Sequence, residues 1–227
     1  MIMNTTSLLP ALDFPGFLLH NNPAFERQPS IIEINAGKFQ PFFDYINEFS
    51  GMNLSANEKF QIMETVKIKT LRRRQYLLQE GDICKYMAFI VKGSMRMFSV
   101  NEKGQESILS FGIEQNWVFD QESFSMLKAS RYQIEALEDS LIIMISSAQL
   151  QILIDQIPAV DKMIRLAICQ QVICIQKRIH AAISMSAEER YRDLLATNPD
   201  YTQRFSQNMI ASYLGIKSET LSRVRKK

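Results

Sequence analysis

The chain has 227 residues, of which 46% are hydrophobic and 22% are charged, and its formal net charge is +2. This length suits two modest domains joined by a helix. The sequence holds no apolar run long enough to cross a membrane, and its first ten residues lack the basic and apolar regions of a signal peptide. A cytoplasmic protein with no membrane association is therefore expected.

The cysteine count limits the cofactors that the chain could hold. Cys84, Cys169 and Cys174 are too few for a four-cysteine zinc or iron–sulfur site and too scattered for a disulfide framework. The sequence also shows no paired carboxylates, nucleophile motif or glycine-rich phosphate loop. We therefore assign no catalytic residue, metal ligand or cofactor, and we do not expect an enzyme.

The first part of the chain is rich in proline and has no sustained periodicity. Residues 1–40 are predicted to be an irregular extension. Two helices are then predicted, over residues 43–49 and 55–66. The second begins with Ser55 and Glu58, which have the spacing of a capping box.

Short runs rich in β-branched and aromatic residues follow, separated by glycines at even spacing. They include "YMAFIVKG", "SMRMFSV" and "ESILSFG". Such a pattern predicts a β-barrel or jelly roll between about residues 68 and 147. We place it in an effector domain spanning residues 41–157 of an α+β fold.

A glycine-free segment follows the predicted barrel. Residues 158–185 are predicted to form one long helix and a hinge, and five of its positions step by four and three residues in turn. This spacing suits a dimer seam, although a helix packed on its own barrel could also show it. The predicted interface positions are Ile168, Val172, Ile175, Ile179 and Ala182.

The last segment, residues 186–227, has the pattern of a helix-turn-helix domain. Ser186 and Glu189 form a second capping-box pair, Ser206 and Ser218 can each cap a helix, and Gly215 can supply the left-handed turn between them. From residue 184 onward, eight basic residues face five acidic ones, so this segment carries +3. Positive charge at a helix-turn-helix favours DNA as the partner, although a hairpin of helices that only packs would share the spacing.

Taken together, the strings "EGD", "FIVKGSMRMF" and "EKGQESILSF" and the terminal "IASYLGIKSETLSR" resemble the Crp/Fnr family of bacterial transcription regulators. The resemblance covers about residues 45–227. It implies a cyclic-nucleotide-binding-like domain, a homodimer paired through the long helix, a palindromic DNA operator and contact with RNA polymerase.

The resemblance also implies which residues meet DNA. The base-reading positions of the family fall on Ser218, Glu219 and Arg223, and Ser218 departs from the arginine of the cyclic-AMP receptor. Glutamate can accept from cytosine and arginine can pair with guanine. The full predicted DNA-binding set is Ser206, Gln207, Lys217, Ser218, Glu219, Thr220, Ser222, Arg223 and Lys226.

The effector pocket departs further from the family pattern. The glycine that admits the phosphate becomes Phe119, the ribose-binding glutamate becomes Asp120, and the phosphate-binding arginine becomes Ser130, with Arg131 one residue late. An offset of one residue turns a strand side chain to the opposite face. We therefore expect no cyclic AMP or cyclic GMP binding. The long-helix positions that would contact the base are Ile175 and Gln176.

The sequence thus predicts a dimeric, sequence-specific DNA-binding transcription regulator whose effector is absent or is not a standard cyclic nucleotide. The alternative is a small-molecule-sensing or scaffold protein whose terminal helices bind another protein. Salt dependence separates the two, because phosphate contacts weaken steeply with ionic strength and apolar protein contacts do not.

Overall fold

The computed structural model describes the backbone of residues 31–226 and the side chains of residues 37–226. Two helices come first: α1 (Ile31–Ser50) and α2 (Ala56–Thr65). The predicted capping box of α2 is confirmed, since the Ser55 hydroxyl accepts from the Glu58 amide and the Glu58 carboxylate accepts from the Ser55 amide. The irregular extension predicted for residues 1–40 is wrong for residues 31–40, which are helical; residues 1–30 lie outside the described part.

The second half of α1 agrees with the helix predicted over residues 43–49, but its first half was missed because Pro41 lies inside the helix. Proline removes one helical hydrogen bond and normally ends a helix. Here Phe39, Phe42 and Phe43 are all buried, and burial of three aromatic rings more than offsets that loss. Tertiary packing therefore decides the helix, not local propensity.

Eight strands form the predicted jelly roll. One sheet has the order β1-β8-β3-β6 and the other the order β2-β7-β4-β5, with all pairs antiparallel. The strands are β1 (Lys67–Leu71), β2 (Tyr76–Leu78), β3 (Tyr86–Lys92), β4 (Met95–Val100), β5 (Glu106–Gly112), β6 (Trp117–Val118), β7 (Gln133–Ala136) and β8 (Ser140–Ser146).

Turn chemistry fixes the hairpins of the barrel. In the β4–β5 turn, the Asn101 side-chain oxygen accepts from the amides of Lys103 and Gln105 at 3.0 and 2.9 Å. Between β3 and β4, Gly93 has φ +101°, and an added Cβ would lie 2.8 Å from the Cα of Ser140. A side chain is therefore excluded at Gly93 by both conformation and space.

The remaining helices surround the barrel. A short helix, α3 (Gln121–Met126), lies between β6 and β7, and α4 (Ser147–Gln156) follows β8. The long helix α5 (Pro158–Ser184) matches the predicted boundaries within one residue and begins with proline, whose fixed φ suits the first helical position. The last four helices are α6 (Ala187–Thr197), α7 (Tyr201–Arg204), α8 (Gln207–Leu214) and α9 (Ser218–Arg225).

Three apolar clusters form among the described residues. The first joins α1, α4 and the start of α5 to the β1-β8-β3-β6 sheet, and the second fills the barrel interior. A third joins β4 and β5 to the helices after α5. Two sides of the barrel are thus covered by different helices, and the fold-class prediction is confirmed.

Candidate nucleic-acid interface

Helices α8 and α9 form the predicted helix-turn-helix. The Ser206 hydroxyl accepts from the Met209 amide at 3.4 Å and so caps α8. Gly215 ends α8 with φ +65°, the left-handed conformation that glycine adopts without strain. The N-cap of α9 is Lys217, not Ser218 as predicted, and its side chain makes no capping bond.

Each of the two helices has a buried face and an exposed face. Ile210, Ala211 and Leu221 are buried between the helices and the barrel. Most of the predicted DNA-binding residues lie on the outer face. Ser206, Gln207, Lys217, Ser218, Glu219, Arg223 and Lys226 are exposed, and Thr220 and Ser222 are half-buried.

The cations of this outer face have few bonding partners among the described residues. Within residues 37–226, no carboxylate lies within ion-pair distance of Lys217, Arg223 or Lys226. The Arg223 guanidinium makes one long contact, 3.5 Å, to the Thr220 hydroxyl. As far as the described residues show, these three cations therefore have donors that can bond to an external acceptor.

An aromatic contact holds the helix-turn-helix on the barrel. Phe111 of β5 stacks on Phe205 with ring centroids 4.0 Å apart, and it meets Tyr201 and Tyr213 at 5.4 and 5.2 Å. Burial raises the pKa of Tyr201 and of Tyr213. Both phenols therefore stay neutral across physiological pH.

A pair of glutamates strengthens the same contact. The Arg204 guanidinium donates to Glu138 at 3.0 and 2.7 Å and to Glu114 at 2.5 and 3.1 Å. These hydrogen bonds raise the pKa of Arg204. The pKa of Glu138 is lowered by the Arg204 bonds. Partial burial alone would raise the pKa of Glu114, but the bonds that its carboxylate accepts from Arg204, from its own amide and from the amide of Gly93 together lower it. We call Phe111, Phe205, Arg204, Glu114 and Glu138 the latch.

A second arginine joins the helices around the hinge. Arg190 of α6 donates to the carbonyl oxygens of Ala182 (2.9 Å), Met185 (3.1 Å) and Leu214 (3.1 Å). The end of α5, the hinge and the end of α8 thus share one guanidinium. The predicted hinge position is consistent with the break between α5 and α6, where the Ser186–Glu189 capping box is present.

Helix α5 changes its surroundings along its length. Ala159, Val160, Met163 and Ile164 are buried against the barrel. From Arg165 onward almost every side chain is exposed, including all five predicted seam positions. The exposed fractions are 53% for Ile168, 48% for Val172, 49% for Ile175 and 55% for Ile179, and Ala182 is also exposed.

At the predicted effector position, polar side chains are bonded to each other. The buried Asp120 carboxylate accepts from the Ser130 hydroxyl at 2.7 Å and from the amides of Glu122 and Ser123 at 3.1 and 3.3 Å. It thereby caps α3. Arg131 is exposed and pairs with Glu122 at 3.4 Å, and no described bond joins it to Asp120.

Apolar groups fill the rest of this position. Phe119 packs edge-on against Phe124 at 5.5 Å between centroids and contacts both the first and the second apolar cluster. Ile175 and Gln176 lie on the exposed part of α5, and no described contact joins them to Phe119, Asp120 or Ser130. Within one protomer the structure therefore does not bring the six predicted pocket residues together.

A cavity of about 300 Å³ lies elsewhere, beside β1, β2 and β8. Cys84 lines it, and burial raises the pKa of this thiol, which opposes thiolate formation. Among residues 37–226 no three His, Cys, Asp or Glu side chains are placed to hold a metal ion. None of the helices in the described part is both long and apolar enough to cross a membrane.

Comparisons with known proteins agree with this architecture. Residues 68–157 match the model of the cyclic nucleotide-binding domain. The chain is 22% identical to "Transcriptional activator protein anr" of Pseudomonas aeruginosa over 76% of this chain and 75% of that protein. It is 26% identical to "Regulatory protein HlyX" of Actinobacillus pleuropneumoniae over 75% of each.

A solved structure shares the fold. FixK2 from Bradyrhizobium japonicum superposes with a TM-score of 0.59 at 16% identity, covering 71% of this chain and 83% of that one. The chain thus contains a cyclic nucleotide-binding domain and is similar, over about three quarters of its length, to regulators of the Crp/Fnr type. The family resemblance predicted from the terminal helix-turn-helix and the barrel strings is thereby confirmed.

The sequence did not indicate the contacts that hold the helix-turn-helix against the barrel. Arg204 is 90 residues from Glu114 and 66 from Glu138, and Tyr201 is 90 from Phe111. No local pattern links residues so far apart. The only available signal was the unusual run of aromatic residues at 201, 205 and 213 in a short helical domain.

Proposed function

We propose that the protein is a dimeric transcription regulator that reads a palindromic DNA operator through α9. The observation that carries this proposal is the outer face of α8 and α9, where basic side chains are exposed and have no carboxylate partner among residues 37–226. Relatives named as a transcriptional activator and a regulatory protein support it. Such a protein acts where the chromosome is, in the cytoplasm, and RNA polymerase is its expected further partner.

The chemistry of α9 suits base reading. Glu219 can accept from the amino group of cytosine, and Arg223 can donate two bonds to guanine. Lys217 and Lys226 flank them and suit phosphate oxygens, which position the helix without reading sequence. A helix-turn-helix dimer places two such helices about one DNA turn, ~34 Å, apart.

The free part of α5 supports dimerisation. Its seam residues form an apolar stripe that water surrounds in one protomer, and pairing with the same stripe of a second copy would bury it. Each buried Ile or Val side chain contributes about 1.5–3 kcal/mol. The four Ile and Val positions of the seam are about half exposed in one copy, so pairing would add part of this contribution at each of them.

We also propose that the barrel does not bind cyclic AMP or cyclic GMP. A cyclic phosphate buried at Asp120 would meet a carboxylate instead of a cation, and its desolvation would be uncompensated. Arg131, the nearest candidate cation, is exposed and engaged by Glu122. Any effector of this protein therefore differs from a standard cyclic nucleotide.

The test of DNA binding is recovery of genomic fragments on the purified protein, followed by measurement of affinity for the recovered site. We expect a shared palindrome, and we expect affinity to fall by ~10³ or more between 50 and 200 mM salt. Random duplex of the same length is the control. Equal recovery of all sequences, or affinity independent of salt, would favour the alternative in which the terminal helices bind a protein.

A further inference from the structure

The cavity beside β1, β2 and β8 lies between the edge strands of the two sheets. Strand β1 ends one sheet and β2 ends the other. Leu77, Leu78 and Met144 supply its apolar lining, and all three take part in the apolar cluster that fills the barrel. Its volume, about 300 Å³, is at the lower end of the range of small-molecule sites, ~300–1,000 Å³. We call it the edge cavity.

Two lysines lie on the inner face of β1. Lys67 is the register partner of Met144, and Lys69 is that of Ile142. Residues directly opposite each other in antiparallel strands share a face, and Met144 and Ile142 belong to the cluster in the barrel interior. Both lysines are exposed, since β1 is at the edge of its sheet. They therefore place positive charge at the opening of an apolar cavity.

The positive charge at the edge cavity is not neutralised. Lys69, Lys85 and Asp82 line the cavity, and neither lysine forms an ion pair within residues 37–226. Two lysines and one aspartate leave a net charge of +1 on the lining. A third cation is adjacent, because the Lys67 Nζ lies 5.8 Å from the ring centroid of Tyr86, which also lines the cavity. The edge cavity therefore attracts an anion.

The edge cavity is distinct from the predicted effector position. Its described lining includes none of the six residues predicted for that position. Cys84 lies between the two: it lines the cavity, and its amide donates to the hydroxyl of Ser123 in α3 at 2.8 Å. A cyclic nucleotide in the edge cavity would place ribose hydroxyls and base edges against leucine and methionine side chains, without hydrogen-bond partners. The lining therefore suits a ligand of another chemical class.

We propose that the edge cavity binds a small organic carboxylate with an apolar body. Lys69 and Lys85 bond to the carboxylate, and the apolar body packs against Leu77, Leu78 and Met144. One negative charge matches the net +1 of the lining, whereas a phosphate monoester carries about −1.5 to −2 at pH 7. Ammonium–carboxylate hydrogen bonds and apolar burial both contribute to affinity. This site goes beyond the proposed reading of DNA and does not depend on it.

The experiment measures binding of octanoate and of phenylpropanoate to the full chain by calorimetry. Octanol, which has the same chain length as octanoate and no charge, is the neutral comparison. The test variant is K69Q/K85Q, and the matched control is K38Q/K103Q, which removes two charges from exposed lysines outside the cavity. All four lysines are exposed, so these substitutions should leave the fold intact.

We expect K69Q/K85Q to bind octanoate about tenfold or more weakly than the wild type, because charge-assisted hydrogen bonds are lost. Octanol should bind the wild type more weakly than octanoate does, and its affinity should not change in K69Q/K85Q. K69R/K85R should keep most of the octanoate affinity, since both positive charges remain. K38Q/K103Q should behave as the wild type.

Cysteine alkylation tests where the probe binds. Iodoacetamide labelling of each cysteine is followed by mass spectrometry of the peptides. Saturating octanoate should slow the labelling of Cys84, which lines the cavity. Cys169 and Cys174 are exposed on α5 and are internal controls, so their labelling rates should not change.

Several results would overturn the inference. Failure of the wild type to bind either carboxylate below the millimolar range would remove the site. Equal losses in K69Q/K85Q and K38Q/K103Q would reduce the effect to general charge attraction, and unchanged Cys84 labelling would place the probe elsewhere. Aggregation of K69Q/K85Q, with no carboxylate binding by the wild type, would make the inner-face lysines a protection of edge strand β1 against pairing with another copy. None of these results bears on DNA binding by α9, which is measured separately.

Discussion

The outer face of α9 and the effector position of the barrel both carry polar and charged side chains, but these differ in their exposure and in their bonding partners. At α9, Lys217 and Arg223 are exposed and have no carboxylate partner among the described residues. In the barrel, Asp120 and Ser130 are buried and bonded to each other, and Arg131 pairs with Glu122. Free polar groups can bind a ligand at little cost, whereas polar groups already satisfied must first break their bonds. The difference supports the proposal that α9, and not the effector position, binds the ligand of this protein.

The largest expected effect comes from separating the proposed dimer into single chains, because under the proposed function α9 reads a palindrome only in pairs. Ile175→Glu should convert the dimer to a monomer, since each copy would bury a carboxylate without a partner at a cost of several kcal/mol. Light scattering measures the mass. Gln170→Glu, which adds the same charge at an exposed position off the seam, should leave the dimer intact. An unchanged mass for Ile175→Glu would move the interface elsewhere.

The next effect concerns the latch, which fixes α9 relative to the barrel. Phe111→Ala should destabilise the docked state by about 3–5 kcal/mol, because a buried ring in contact with three others is lost. Protease cleavage at the hinge near Met185 should accelerate. Phe60→Ala, at a ring that is 48% exposed, is the control and should change little. Cleavage at the wild-type rate in Phe111→Ala would show that the latch does not hold the helices.

The two regions also differ in how far the sequence predicted them. The helix-turn-helix was predicted almost to the residue because its signals are local: Ser206 caps α8 within one turn, and Gly215 needs only its own φ. The latch was not predicted, since its partners are brought together only by the folded barrel. Helix α1 was misassigned over residues 31–40 for the same reason, because burial in the tertiary structure overrides Pro41.

The smallest expected effect concerns the binding of cyclic nucleotides at the effector position of the barrel. Calorimetry with cyclic AMP and cyclic GMP should show no binding below the millimolar range, and operator affinity should be the same with and without them. Micromolar binding needs about 8 kcal/mol, much of which must come from a paired phosphate. The F119G/S130R variant, which restores the family's glycine and arginine, is the comparison. Micromolar binding by the wild type would contradict this account of the pocket.

The central claim is that α9 reads DNA sequence, and the most direct measurement is the affinity of Arg223→Ala for the recovered site and for random duplex. Arg223→Ala should weaken binding to the specific site by ~1–3 kcal/mol and relax the requirement at one base position, with little change on random DNA. Lys226→Ala should weaken binding to both duplexes alike, as expected for a phosphate contact. An equal loss on both duplexes for Arg223→Ala would contradict the claim.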